Sequence, residues 1–242
     1  MVKINEKRGE ITTQQIVMLI ILILSFSVIL FLIFRLDLGQ ITNEEICRNS
    51  VILKGKSTLK TGNLDCRTSY VCISGGGDCE GINPTKTVEV KGDSAEIEKQ
   101  VMKALAEEMV SCWSQFGEGE INYVGRNLKG FHCPICTIVG FDEEIQESFS
   151  YRDLFNFLET AKKDDSQTYL KYLFNVVRAE DFVSQSEYLT SNYDTPFSLG
   201  EKYSIITGRN VELKEDRVVP VYFIKTNDLD QTPCTDFDIS KA

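Results

Sequence analysis

Residues 16–34 read IVMLIILILSFSVILFLIF, and this run from Ile16 to Phe34 divides the chain into a short tail, one span and a large remainder. Its only polar residues are Ser25 and Ser27. At 1.5 Å per residue, a helix of this length reaches roughly 28 Å, close to the hydrocarbon thickness of a bilayer. Both serines can bond back to carbonyls one turn earlier, so neither interrupts the helix. A cleaved secretory signal has a shorter apolar region with small residues before the cut, whereas Phe31, Phe34 and Leu36 stand in those places here. The run therefore reads as a retained transmembrane helix over residues 16–36, meeting the lipid bilayer through residues 16–34.

Charge sets the expected orientation. Lys3, Lys7 and Arg8 precede the span, while Arg35, offset by Asp37, follows it. Basic residues favour the cytoplasmic side, which puts residues 1–15 in the cytoplasm and residues 37–242 outside the cell. The 242-residue chain has a formal net charge of −10, made up of +2 over residues 1–36 and −12 beyond them. An acidic domain repels phosphate backbones, so nucleic acid is excluded as an expected partner. About 200 residues suffice for one ordinary domain with its own core.

All eight cysteines, Cys47, Cys66, Cys72, Cys79, Cys112, Cys133, Cys136 and Cys234, follow the span. In an oxidising exterior an even number of this kind reads as a disulfide framework. Eight cysteines allow on the order of a hundred pairings, so the spacing leaves connectivity open. Cys66, Cys72 and Cys79 crowd the glycine-rich stretch Gly75-Gly76-Gly77, which reads as a turn needing bridges, and a bridge from Cys234 ties down the C-terminal tail.

The remaining pattern is α+β. Residues 43–84, including the β-branched run Ser50-Val51-Ile52-Leu53, read as loops with brief strands, and Thr87 to Val90 as a strand. Asp93 with Glu96 starts a helix through Phe116, since Ile97, Val101, Leu105, Met109, Cys112, Trp113 and Phe116 form one apolar stripe. It stops at Gly117-Glu118-Gly119. Strands are expected at Ile121 to Val124 and Ile135 to Phe141, and a helix capped by Ser150 and Asp153. A further helix spans Tyr169 to Val177. Two final strands, Tyr203 to Ile206 and Val218 to Ile224, are joined through a turn at Gly208-Arg209-Asn210, with Pro220 placing the second on an edge. Helices thus group in the middle, with hairpins at both ends.

The segment LAEEMVSCWSQFGEG (Leu105 to Gly119), the Cys133-x-x-Cys136 pair and a closing Cys234 ahead of Lys241-Ala242 resemble a group of uncharacterised archaeal single-pass membrane-anchored proteins with a Cys-rich extracytoplasmic domain. The resemblance implies an envelope location and carries no functional residue. Separately, Lys7-Arg8-Gly9 before a polar stretch and a long apolar helix resembles the leader of archaeal type IV pilin-like proteins, which is cut after the glycine. Gln14 stands where many pilins carry Glu. Processing after Gly9 would make the same helix the assembly core of a pilin or pseudopilin filament.

The sharpest chemical candidate is Cys133-Pro134-Ile135-Cys136, because such a pair serves thiol-disulfide exchange when a helix N-terminus stabilises the first thiolate. Here a β-branched run follows, and Asp142, Glu143 and Glu144 oppose a thiolate, so a structural role is preferred. Cys112, His132, Cys133 and Cys136 form a weaker zinc set, made awkward by adjacent ligands at 132 and 133. Gly55-Lys56-Ser57 lacks the first glycine of a P-loop, and Ser57 to Gly62 overlaps two motifs that a penicillin-binding site keeps on different elements. Glu107-Glu108 and Asp142-Glu143-Glu144 read as a solvated acidic face, and Tyr188, Tyr193 and Phe197 as core. No cofactor motif is present. The expected role is binding or assembly in the cell envelope with a protein or glycan partner, without a catalytic site.

Overall fold

The computed structural model describes residues 13–35, 42–57, 63–124, 130–145, 147–210 and 217–237. The Lys7-Arg8-Gly9 motif and the Thr58 to Gly62 stretch lie outside them. Two compact units divide at residues 42 and 43.

The first unit is helix α1, Thr13–Arg35. Its segment Gln14–Phe31 has a mean hydropathy of 2.5 and none of it is buried. Ser25 Oγ donates to the Leu22 carbonyl at 2.9 Å and Ser27 Oγ to that of Ile23 at 2.8 Å, so both hydroxyls are satisfied inside the helix. A helix apolar on every side has no water-facing stripe. By length and composition α1 is able to cross a membrane, a property shared by signal sequences near an N-terminus.

The second unit is α+β, as the sequence pattern indicates. Its sheet comprises β1 (Ser69–Ser74), β2 (Lys86–Glu89), β3 (Phe131–His132), β4 (Ile135–Phe141), β5 (Tyr203–Asn210) and β6 (Arg217–Lys225). β1 lies between β2 and β4 and is parallel to both, whereas β5 runs antiparallel to β3, β4 and β6. The sheet is therefore mixed. β6 pairs with β5 alone, the edge position expected from Pro220. Its register slips between Ile206 and Gly208, leaving an extra residue around Pro220.

Helix α3, Ser94–Gln115, carries the chain from β2 to β4, the long crossover that parallel strands require. Asp93 caps it by accepting from the Glu96 amide at 3.0 Å, and Val101, Leu105, Met109 and Cys112 of the apolar stripe are buried. Ser150 and Asp153 form the expected capping box on α4, Tyr151–Thr160. Short helices α5 (Tyr169–Phe174), α6 (Ala179–Val183) and α7 (Glu187–Asn192) fill the remaining path to β5. The main core lies between these helices and the sheet, and a second, small core of Cys133, Ile206, Val219 and Cys234 lies apart from it.

Several expectations are corrected. Ser50 to Leu53 belongs to helix α2, Asn43–Lys56, which buries Cys47 and Val51 one turn apart and complements its dipole with Glu44 and Glu45 at one end and Lys54 and Lys56 at the other. β1 and β2 are parallel, so there is no N-terminal hairpin. Ile121 to Val124 forms no strand. Gly208, Arg209 and Asn210 continue β5, and the helix begun at Tyr169 stops at Phe174, leaving Val177 exposed.

Four disulfides staple the unit, with Cα separations of 4.3 Å (Cys47–Cys66), 5.7 Å (Cys72–Cys79), 5.5 Å (Cys112–Cys136) and 5.7 Å (Cys133–Cys234). They join α2 to the segment before β1, close the glycine turn after β1, tie α3 to β4, and fasten the C-terminal segment to the β3–β4 junction.

Candidate binding groove

The last turn of α3 delivers Trp113 to the surface, and the chain then reverses through Gly117, Glu118 and Gly119 with φ of 77°, 57° and 76°. Three successive left-handed residues are possible because two are glycine. A Cβ on Gly117 would lie 2.6 Å from Ile121, and one on Gly119 would lie 2.9 Å from the Trp113 ring. Glu118 donates its amide to the Trp113 carbonyl at 2.9 Å, and Arg209, buried on β5, donates to the Gly119 carbonyl at 2.9 Å. The turn is thus fixed from both sides.

Glu118 has no such licence, since a left-handed conformation costs a side-chain-bearing residue about 1–2 kcal/mol. Its carboxylate lies 3.7 Å from Arg48 and near the Tyr172 hydroxyl. Burial, together with that carboxylate, pushes the Tyr172 hydroxyl up to about 12. Lys163 Nζ stands 4.2 Å from the centre of the Tyr172 ring. Opposite, Asn175 ends α5 at φ 56°, its amide bonded to the Lys171 carbonyl and its own carbonyl accepting from Lys171 Nζ at 3.3 Å.

These residues enclose a groove of about 640 Å³, walled by Trp113, Glu118, Gly119 and Glu120 on one side, by Gln167 and Lys171 to Asn175 on another, and by Val218 and Pro220 of the edge strand. That volume lies in the range of small-molecule sites. Trp113, Tyr172 and Phe174 are each half-buried, packing on the core while lining the groove.

The sequence-derived candidates fall elsewhere. Cys133 and Cys136 do not bond each other; the first is joined to Cys234 and the second to Cys112. Disulfide exchange at a CxxC pair needs the two sulfurs to close on one another, and here they serve two different cores. The three sulfurs of the zinc set are tied up in the same bridges, Cys112 with Cys136 and Cys133 with Cys234; His132 is buried with its Nδ1 3.7 Å from Asp236, and among the described residues no cluster of three or more metal-ligating side chains occurs. Two members of the acidic runs are buried instead of solvated. Glu108 accepts from Lys86 at 2.7 Å and from Thr137 at 3.2 Å. Asp142 is only 1% exposed, and its Oδ2 accepts from Ser74 Oγ and the amides of Gly75 and Gly77, its Oδ1 from the amides of Glu144 and Ile145. Burial opposes the charge of Asp142, but these donors outweigh it and hold the carboxyl below its usual range. Tyr188 and Phe197 lie in the core as expected, with Tyr193 half-buried against it.

The groove residues themselves were legible only as structure: Trp113 as part of a core stripe and Gly117-Glu118-Gly119 as a helix stop. The available signal was the chain's single tryptophan one helical turn before a pair of turn glycines that flank Glu118. Compared with family models, with curated proteins and with solved structures, the chain matches none.

Proposed function

We propose that this chain is a single-pass membrane-anchored binding protein of the cell envelope, with residues 1–15 cytoplasmic, the α+β unit outside, and the Trp113 groove as its binding surface. The observation that carries the reading is Glu118. Among the described residues the only non-glycines at positive φ are Glu118 and Asn175; both line this groove, Asn175 as the cap of α5 and Glu118 just beyond the cap of α3, where its amide closes the helix end on the Trp113 carbonyl. Backbone held in an unfavourable region, with the carboxylate lying between Arg48 and Tyr172, supports a preorganised surface. Four closed disulfides and the basic flank before α1 support the outward orientation.

Trp113 is the sole tryptophan, so its emission reports on the groove. Full-length chain in lipid nanodiscs is expected to co-sediment with envelope fragments of the cells that make it, with a shift in Trp113 emission, and Glu120→Arg to abolish both. Co-sedimentation with unchanged emission and no effect of Glu120→Arg would dismiss the groove as the binding surface.

A further inference from the structure

We infer that the groove takes a short segment of an uncharged oligosaccharide, an inference that rests on the groove being the binding surface. The first argument is charge. The chain is strongly acidic, yet the described lining of the groove carries both signs: Glu118 has Arg48 beside it at 3.7 Å, and Glu120 and Lys171 stand on different walls. Neither a cationic nor an anionic ligand finds a surplus of opposite charge there.

The second argument is chemistry. A sugar ring presents an apolar C–H face and a rim of hydroxyls that both donate and accept. Half-buried Trp113 supplies an aromatic surface, Glu120 accepts, Lys171 donates, and the Gln167 and Asn175 amides do both. The third argument weighs against an extended peptide. The groove is lined by Val218 and Pro220 of β6, a strand that pairs with β5 alone, and a peptide adding to β6 as a further strand would meet Pro220, which lacks an amide hydrogen. A saccharide needs no backbone ladder.

The test uses full-length chain in nanodiscs, titrated with neutral hexasaccharides derived from glucan, mannan and N-acetylglucosamine polymers, and read by Trp113 emission and calorimetry. At least one is expected to give a saturable shift, and Gln167→Ala to weaken it about fivefold through loss of one hydrogen-bonding group. Tyr172→Phe, which keeps the ring, is expected to retain the fold by circular dichroism and to weaken binding by removing a hydroxyl from the groove lining. A uronic-acid hexasaccharide or an extended decapeptide that shifts Trp113 where no neutral sugar does would overturn the saccharide assignment and leave the groove reading standing. Silence from every probe, together with envelope binding insensitive to Glu120→Arg, would remove both. Sugar binding unchanged by Gln167→Ala and Tyr172→Phe would overturn the assignment by placing the sugar elsewhere.

Discussion

Lys86 on β2 reaches its ammonium to within 2.7 Å of the Glu108 carboxylate on α3, and Glu108 is almost wholly buried while the lysine is half exposed. The pair ties the crossover helix to the strand it leaves, with Thr137 of β4 as the second donor. Lys86→Met removes the counter-charge and strands a buried carboxylate. It is expected to destabilise the domain by about 2 kcal/mol, below the range for fully buried pairs because Lys86 is solvated. Glu108→Gln, which retains hydrogen bonding, is expected to lose about half as much. Denaturant unfolding with disulfides intact measures both, and a Glu108→Gln protein as stable as wild type would show that the charge itself contributes nothing.

Asp142 gives the domain an acid-sensitive weld. Its folded pKa lies below the ordinary value because hydrogen bonds from Ser74, Gly75, Gly77 and Ile145 outweigh burial. A depressed carboxyl contributes fully above the unfolded pKa, near 4 for Asp, and loses that contribution as pH falls through the lower folded value. Asp142→Asn is thus expected to cost about 2 kcal/mol at pH 7, with the gap to wild type narrowing steadily below about pH 4. A gap of constant size down to pH 3 would refute the linkage.

The four bridges are not equivalent. Cys133–Cys234 closes a separation of 101 residues and Cys72–Cys79 one of 7. Chain entropy alone ranks their removal at about 4.7 and about 2.4 kcal/mol. Paired Cys→Ser variants followed by thermal unfolding test the ranking. Non-reducing peptide mapping is expected to find Cys112 with Cys136 and Cys133 with Cys234, and a Cys133–Cys136 peptide would reinstate the exchange reading.

Glu118→Gly relieves a left-handed side-chain residue, and it is expected to raise stability by about 0.5–1 kcal/mol, less whatever the Arg48 and Tyr172 contacts contribute. Gly119→Ala should do the reverse, losing more than about 1 kcal/mol against the Trp113 ring. A more stable, weaker-binding Glu118→Gly protein is the signature of strain kept for recognition. A less stable one assigns Glu118 to the fold.

The pilin-like reading turns on one peptide. A retained anchor is expected to yield an intact N-terminal fragment containing Lys7, Arg8 and Gly9 by mass spectrometry of membrane-extracted protein. A mature chain beginning at Glu10 would make α1 a filament core.

Strong periodicity was readable in the sequence: α1, the Val101-Leu105-Met109 stripe of α3, the α4 cap and the strand at Ile135 all announce themselves through spacing. β1 did not, because Val71, Cys72, Ile73 and Ser74 are all buried and a parallel strand covered on both faces loses its alternation. Val51 and Ile52 favour strand locally, and tertiary burial of Cys47 and Val51 overrides them. Asp142 and Glu108 look like surface until their partners, some 65 and 22 residues distant, are in place. The groove was hidden for the same reason, since Trp113, Gln167 and Pro220 meet only after the chain has passed through α4 to α7 and two strands.

Cys133 and Cys136, three residues apart, are pledged to partners in opposite directions along the chain, 101 residues ahead and 24 behind. Synthesis runs from the N-terminus, so Cys112 is at hand when Cys136 emerges, whereas Cys133 must wait for Cys234. In that interval its reduced sulfur sits beside two tempting wrong partners, Cys112 and Cys136. Correct maturation therefore calls for a compartment that reshuffles thiols as well as oxidises them, and mispaired isomers locked at Cys133 should dominate whenever the chain is oxidised faster than it is completed.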